Sequence, residues 1–166
     1  MADDTARTVP PTTEFLRAFF KRDRFAAGAG VRLEEARPGY ARATMKVRDG
    51  HMNGADVVQG GAVFTLADLA FAVACNSHGT LALAVDVTIS FLRPTRSGTL
   101  VAEAFEVARS RRLSRCEVKV VDDAGEPVAL FHGTAFVKDE PLAAIAQAGR
   151  KPSRPRKASG AKGRRG

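Results

Sequence analysis

One segment governs what this chain can fold into. Residues 60–79 read GGAVFTLADLAFAVACNSHG, apolar on almost every side of a helix, with Asp68 as the only charged residue. The spacing predicts a helix over 60–77, roughly 27 Å long, with Gly79 as its C-terminal cap. A helix that is hydrophobic all round has to be covered all round. The remainder of the chain must therefore wrap it.

What remains reads mostly as strands. Residues 30–37 lead into a Pro38-Gly39 turn, after which YARATMKV alternates, the pattern of a hairpin. Residues 49–59, DGHMNGADVVQ, form a polar loop before the helix. Four more strand patterns follow, at 81–93, 99–110, 113–122 and 127–138. Their connections are too short for parallel crossovers, so the pairing is antiparallel. Near the N-terminus, TEFLRAFFKRDRF predicts one helix over 13–25, capped by Thr12 or Thr13, with Glu14 in its first turn. Its Phe15, Leu16, Phe19 and Phe20 recur at helical spacing and are expected to pack over a sheet edge. The order predicts an α+β domain, a curved antiparallel sheet of about six strands around one central helix.

The chain has 166 residues, which is one domain with tails. We expect a flexible leader at 1–11, the folded domain at 12–140 and a basic, disordered tail at 141–166. The net charge of +8 suggests a nucleic-acid partner until it is located. Residues 149–166 carry 8 of the 26 basic residues and no acid, and the other 18 are balanced by all 18 acids. The charge thus belongs to the tail, whose Gly, Ser, Pro, Ala, Lys and Arg cannot bury apolar surface. Nucleic-acid contact through the tail is a secondary expectation, and it would be salt-sensitive. The N-terminus shows no secretory pattern and no long uncharged apolar run exists, so a cytoplasmic protein without a membrane partner is expected. Cys75 and Cys116 show no CxxC spacing and read as reduced thiols, with Cys75 in the core.

Asp68 stands out energetically. A carboxylate in an apolar helix is costly without a partner or a task. Its mid-helix position rules out capping, and the helix offers no basic partner. Desolvation should raise its pKa. Gly60-Gly61 opens the helix directly after Gln59 and leaves bare amides where the dipole favours negative charge, a place to hold a carbonyl oxygen or oxyanion. Gly61 and Asp68 are seven residues apart, about 10 Å along one axis. One carbonyl cannot easily touch both. Two antiparallel copies of the helix, from two subunits, could bring one chain's Gly61 to the other's Asp68.

Other chemistries find little support. His51, His78 and His132 lack metal-ligand spacing, and no GxSxG, GxGxxG or GxxxxGK[ST] occurs. Arg93 and Arg96 flank Pro94 at a strand end. They read as solvated turn residues or as phosphate contacts.

The stretches NGADVVQGGAVFTLADLAFAVACNSHG, VTISFLRPTRSG and VALFHGTAFV strongly resemble the PaaI-type hotdog-fold thioesterases of phenylacetate degradation. The resemblance covers about residues 14–138. It implies a hotdog fold and hydrolysis of acyl-CoA thioesters by a homodimer that assembles into a homotetramer. It implies no cofactor, since coenzyme A is part of the substrate. By similarity, Asp68 matches the catalytic acid, as general base or nucleophile. Gly61 matches the amide that polarises the thioester, and Asn53 and Gln59 support it. Gly60, Thr88, Arg93 and Arg96 are the implied contacts to substrate or CoA. The family pattern most often reads HGG. Here it is Gln59-Gly60-Gly61, so the first position can donate a hydrogen bond but cannot act as an imidazole. Aryl-acetyl or medium-chain acyl groups are the expected substrates. The alternatives are an acyl-thioester hydratase, which needs a His beside the acid, and a non-catalytic acyl-CoA-binding protein.

Overall fold

The structure, a computed structural model, describes residues 10–148. Helix α1, Thr13–Phe20, is capped by the Thr12 side chain, which accepts the Phe15 amide at 3.2 Å. The single helix expected over 13–25 breaks here into two. Asp23 turns the chain and caps α2, Arg24–Gly28, by accepting the amides of Phe25 and Ala26. An aspartate with two amides to satisfy starts a new helix more readily than it continues an old one.

Strands β1 (Val31–Arg37) and β2 (Tyr40–Lys46) form the expected hairpin, with Gly39 at φ +73° in its turn. A single 3-10 turn at Asp49–His51 and an isolated bridge between Met52 and Val58 shape the following loop. Helix α3 spans Gly60–Asn76. Gly79, at φ +93°, donates its amide to the Asn76 carbonyl and turns the chain back. Four strands follow: β3 (Thr80–Phe91), β4 (Thr99–Arg109), β5 (Leu113–Val121) and β6 (Pro127–Pro141). All neighbours pair antiparallel, in the order β1-β2-β4-β5-β6-β3.

The sheet curls around α3, which touches every strand. Alternation places Ala41, Ala43, Met45, Leu100, Ala102, Ala104, Val118, Val120, Ala129 and Phe131 against it, all buried. Alanines at the centre of β2 and β4 let the sheet approach the helix closely. Gly133 in β6 extends this logic: a Cβ there would stand 2.7 Å from the Phe71 ring of α3. At the C-terminal end of α3, Asn76 bonds Ala82 through both its amide nitrogen and its oxygen. Beside it, Glu106 receives Arg109 at 2.8 Å, Ser114 at 2.5 Å and the His78 ring at 2.7 Å.

The boundary expected at 140 falls inside β6. A further helix, α4, spans Leu142–Ala148, and Leu142 is fully buried. Composition assigns residues 141–148 to the tail, but Leu142, buried, and Ile145, packed against the core, keep them on the domain. The leader up to residue 9 and the basic run 149–166 lie outside the described residues. No helix among the described residues is long and apolar enough to cross a membrane.

Strand β3 ends the sheet, and its outer edge pairs with no strand among the described residues. It is twelve residues long, and its apolar Leu83 and Val85 are exposed. A long apolar edge is a template for pairing with another chain.

Candidate functional site

Asp68 lies on α3, half-buried, in an open cavity of about 260 Å³. Phe71, Ala72, Cys75 and Asn76 continue the wall along the same helix face, and Leu81 and Ala82 come from β3. Phe19 and Phe20 close the cavity from α1. The helix expected only to cover a sheet edge does pack on β1, and it also supplies this aromatic wall. Helical spacing alone did not separate the two roles, since the same Phe ring can serve both.

The Asp68 carboxylate has no hydrogen bond or ion pair with any described residue. Burial pushes its pKa up, and the nearby negative charge of Asp23 pushes it further. Asp23 sits at the α1–α2 break, which the sequence did not reveal. No histidine lines this cavity. His78 is held by Glu106, and the His51 ring accepts the Arg48 Nε–H at 3.1 Å elsewhere.

The start of α3 opens into a different cavity, of about 720 Å³, walled in part by Gln59, Gly61, Ala62 and Thr65 of the helix and by Arg48 and His51 of the loop. The Gln59 side-chain oxygen accepts the Gly61 amide and caps the helix. In this structure the Gly61 N–H is thus held by Gln59, whereas the sequence predicts it to be open. Gly60, the first helical residue, has no acceptor for its amide among the described hydrogen bonds, as expected for a first-turn donor. The ring of Phe91, from the FLRP segment, lies against Gly60, where a Cβ would be 2.9 Å from Cζ. Glycine at 60 thus leaves room for the ring at the mouth of the free amide.

The remaining sequence-derived residues scatter. Asn53 is exposed and spends its side-chain oxygen on its own loop, accepting the amides of Ala55 at 2.8 Å and Val57 at 3.3 Å. It organises the turn that carries Gln59 to the helix. Thr88 faces outward on β3, opposite His132, on the side of the sheet away from α3. Arg93 is paired with Asp122, whereas Arg96 is exposed with no partner among the described residues. The backbone around them is tied to the loop, since the Val58 amide donates to the Thr95 carbonyl at 2.8 Å. Asn53, Gln59, Gly60, Phe91 and the two arginines therefore belong to one end of α3. Asp68 belongs to its middle.

Comparisons with known proteins agree with this architecture. The thioesterase superfamily model matches residues 55–129. The acyl-coenzyme A thioesterase PaaI of Escherichia coli is 38% identical over 117 residues, 70% of this chain and 84% of that protein. A protein of Archaeoglobus fulgidus, provisionally assigned as an esterase, is 40% identical over 122 residues, 73% of this chain and 79% of the relative. The solved structure of E. coli PaaI superposes with a TM-score of 0.72 at 32% identity, covering 78% of this chain and 96% of that one. Matching sequence along the helix and strands, with a matching wrapped sheet, leaves one family: the chain belongs to the thioesterase superfamily as a PaaI-type hotdog-fold thioesterase.

Proposed function

We propose that this protein hydrolyses small aryl-acetyl or medium-chain acyl-CoA thioesters, in a site shared between two antiparallel copies of α3. The observation that carries the reading is Asp68, a half-buried carboxylate without a partner among the described residues, on the wall of an aromatic-lined cavity. Ligand pockets commonly hold about 300–1,000 Å³. A cavity near 260 Å³, walled by Phe19, Phe20, Phe71 and Leu81, suits a small, flat acyl group.

In this mechanism Asp68 takes a proton from water as the water attacks the thioester carbon. The raised pKa makes the carboxylate a stronger base than a free aspartate. The carbonyl oxygen becomes an oxyanion, received by an amide at the start of the partner's α3. Gly60 is the available donor, and Gly61 joins it when Gln59 turns aside. The tetrahedral intermediate collapses, the C–S bond breaks and CoA leaves as its thiol, taking the proton that Asp68 received from water. Gly60 is about 12 Å from Asp68 along their shared helix axis, so the amide serving each Asp68 comes from the other copy. The apolar outer edge of β3 supports the pairing, and a homotetramer is two such pairs. Arg96, unpaired and exposed beside the helix start, is the better placed of the two strand-end arginines for a CoA phosphate.

The test is thiol release from a panel of phenylacetyl-, short-, medium- and long-chain acyl-CoA substrates, with Asp68→Ala as control. Phenylacetyl or medium-chain preference, lost in Asp68→Ala, supports the reading. Full turnover by that variant, or by a monomeric variant, overturns it.

A further inference from the structure

Two thiols that the hydrolytic mechanism does not use lie side by side. Cys75 Sγ, on the last turn of α3, is 3.4 Å from Cys116 Sγ on β5, and both cysteines are free. We propose that Cys75 and Cys116 form an oxidisable dithiol, a modification site at which a peroxide converts the pair to an intrachain disulfide.

The geometry brings the sulfurs almost together before any reaction. A disulfide requires about 2.05 Å between sulfurs, so the gap has to close by roughly 1.4 Å. The helix side chain and the strand side chain already face each other across the core. The two sulfurs also differ in access. Cys75 lines the cavity that holds Asp68, seven residues along the same helix face, whereas Cys116 is behind it and does not line that cavity. Both side chains are fully buried, so a small oxidant reaches the pair only as the cavity wall opens, and it then meets Cys75 before Cys116.

The pKa values of the two thiols move in opposite directions. The hydrogen bond between the two sulfurs lowers the Cys75 pKa; burial and the Glu106 charge oppose it, and Ser114 and the Arg109 charge help. That same bond, with burial, pushes the Cys116 thiol up. Arg109 is held at this place by its bonds to Glu106 at 2.8 Å and to the Cys75 carbonyl at 3.2 Å. The thiolate is the reactive form; Cys75, on the cavity wall, attacks and Cys116 resolves.

With hydrogen peroxide as oxidant the steps balance. The Cys75 thiolate attacks one oxygen, the O–O bond breaks, and the departing hydroxide takes up the proton that the thiol had released. Cys75 is now a sulfenic acid and one water has formed. The Cys116 sulfur attacks the Cys75 sulfur, the S–OH bond breaks, and the hydroxyl leaves with the Cys116 proton as a second water. Two thiols have lost two electrons to the peroxide, and the product is one disulfide.

The test treats the folded full-length protein with hydrogen peroxide and follows intact mass. The expected result is a loss of about 2 Da that a dithiol reductant reverses, with the peptides carrying residues 75 and 116 joined in a non-reducing digest. Cys116→Ser should stop at a Cys75 sulfenic acid that dimedone traps. Cys75→Ser should leave Cys116 at least about tenfold less reactive. The wild-type mass measurement needs no substitution, so a variant that fails to fold does not blunt it. Unchanged mass under peroxide that fully oxidises a model dithiol would overturn the proposal. So would Cys116 reacting equally fast in folded Cys75→Ser.

Discussion

Asp68 and Gly61 share one helix, yet they open into different cavities, Asp68 towards α1 and Gly61 towards the loop of His51. A rigid helix holds them about 10 Å apart, too far for one carbonyl carbon and its oxygen. Removing the carboxylate charge tests both chemistry and stability. Asp68→Asn should lower thioester hydrolysis by roughly 10²–10⁴-fold, the usual range for a general base. The same variant should melt at a higher temperature than wild type at pH 7. The folded state raises the Asp68 pKa, so the group favours folding when protonated and opposes it once ionised. The stabilisation should shrink as pH falls to the ordinary value of 3.8 and below. Paired melting curves from pH 3 to 8 read it, and an equal difference across that range would count against the buried carboxylate.

Asp23 gives a way to tune Asp68 without touching it. Its charge contributes to the raised Asp68 pKa, second to burial. Asp23→Asn keeps an oxygen for the α2 amides and removes the charge. The acidic limb of the pH–rate profile should move to lower pH, while kcat on the plateau stays near wild type. A limb that does not move would mean that Asp68 is not the group titrating there.

Gly60 is confined by Phe91. Gly60→Ala places a Cβ 2.9 Å from Cζ of that ring; because Phe91 is 53% exposed and can turn aside, the cost should be about 1 kcal/mol, the low end for overpacking. The cost should fall when Phe91→Leu is added, because the clash is with one ring. Denaturant unfolding of the two single variants and the double closes the cycle. Additive effects would show that the two residues do not touch.

Glu106 is the hub of the buried polar cluster beneath α3. Burial acts to raise its pKa, but the bonds from Ser114 and Arg109 and the neighbouring His78 outweigh it and hold the carboxyl below its ordinary value. Glu106→Gln should destabilise the fold by about 2 kcal/mol at pH 7, allowing for the partial exposure of Arg109 and His78. A depressed carboxyl contributes stability above its unfolded value of 4.5 and loses it as pH falls through the lower folded value. The difference between wild type and variant should therefore be largest near neutrality and smallest in acid, as chemical denaturation at several pH values would show.

The reach of sequence reading follows from what is local. The α3 period, the Pro38-Gly39 turn and the strand alternations depend on near neighbours, and all appear in the structure at close to the expected limits. The break at Asp23 does not, because an aspartate inside a helical pattern gives no local sign that two amides will turn to it. Composition puts Leu142 and Ile145 in a tail because it averages over the few side chains that reach the core. At the site, Asp68 was legible because a lone charge in an apolar run is an energetic anomaly on any fold.

The sequence by itself determined that a single apolar helix must be wrapped by antiparallel strands, and that one carboxylate must sit inside that wrapping. Only the tertiary structure decided what surrounds the carboxylate. Phe19, Phe20 and Asp23 reach Asp68 from more than 40 residues away. Phe91 meets Gly60, and Cys116 meets Cys75, only when the sheet closes on α3. Periodicity reports which face of an element is buried. Which side chains meet across that face depends on register and curvature, which arise from the packing of the whole sheet.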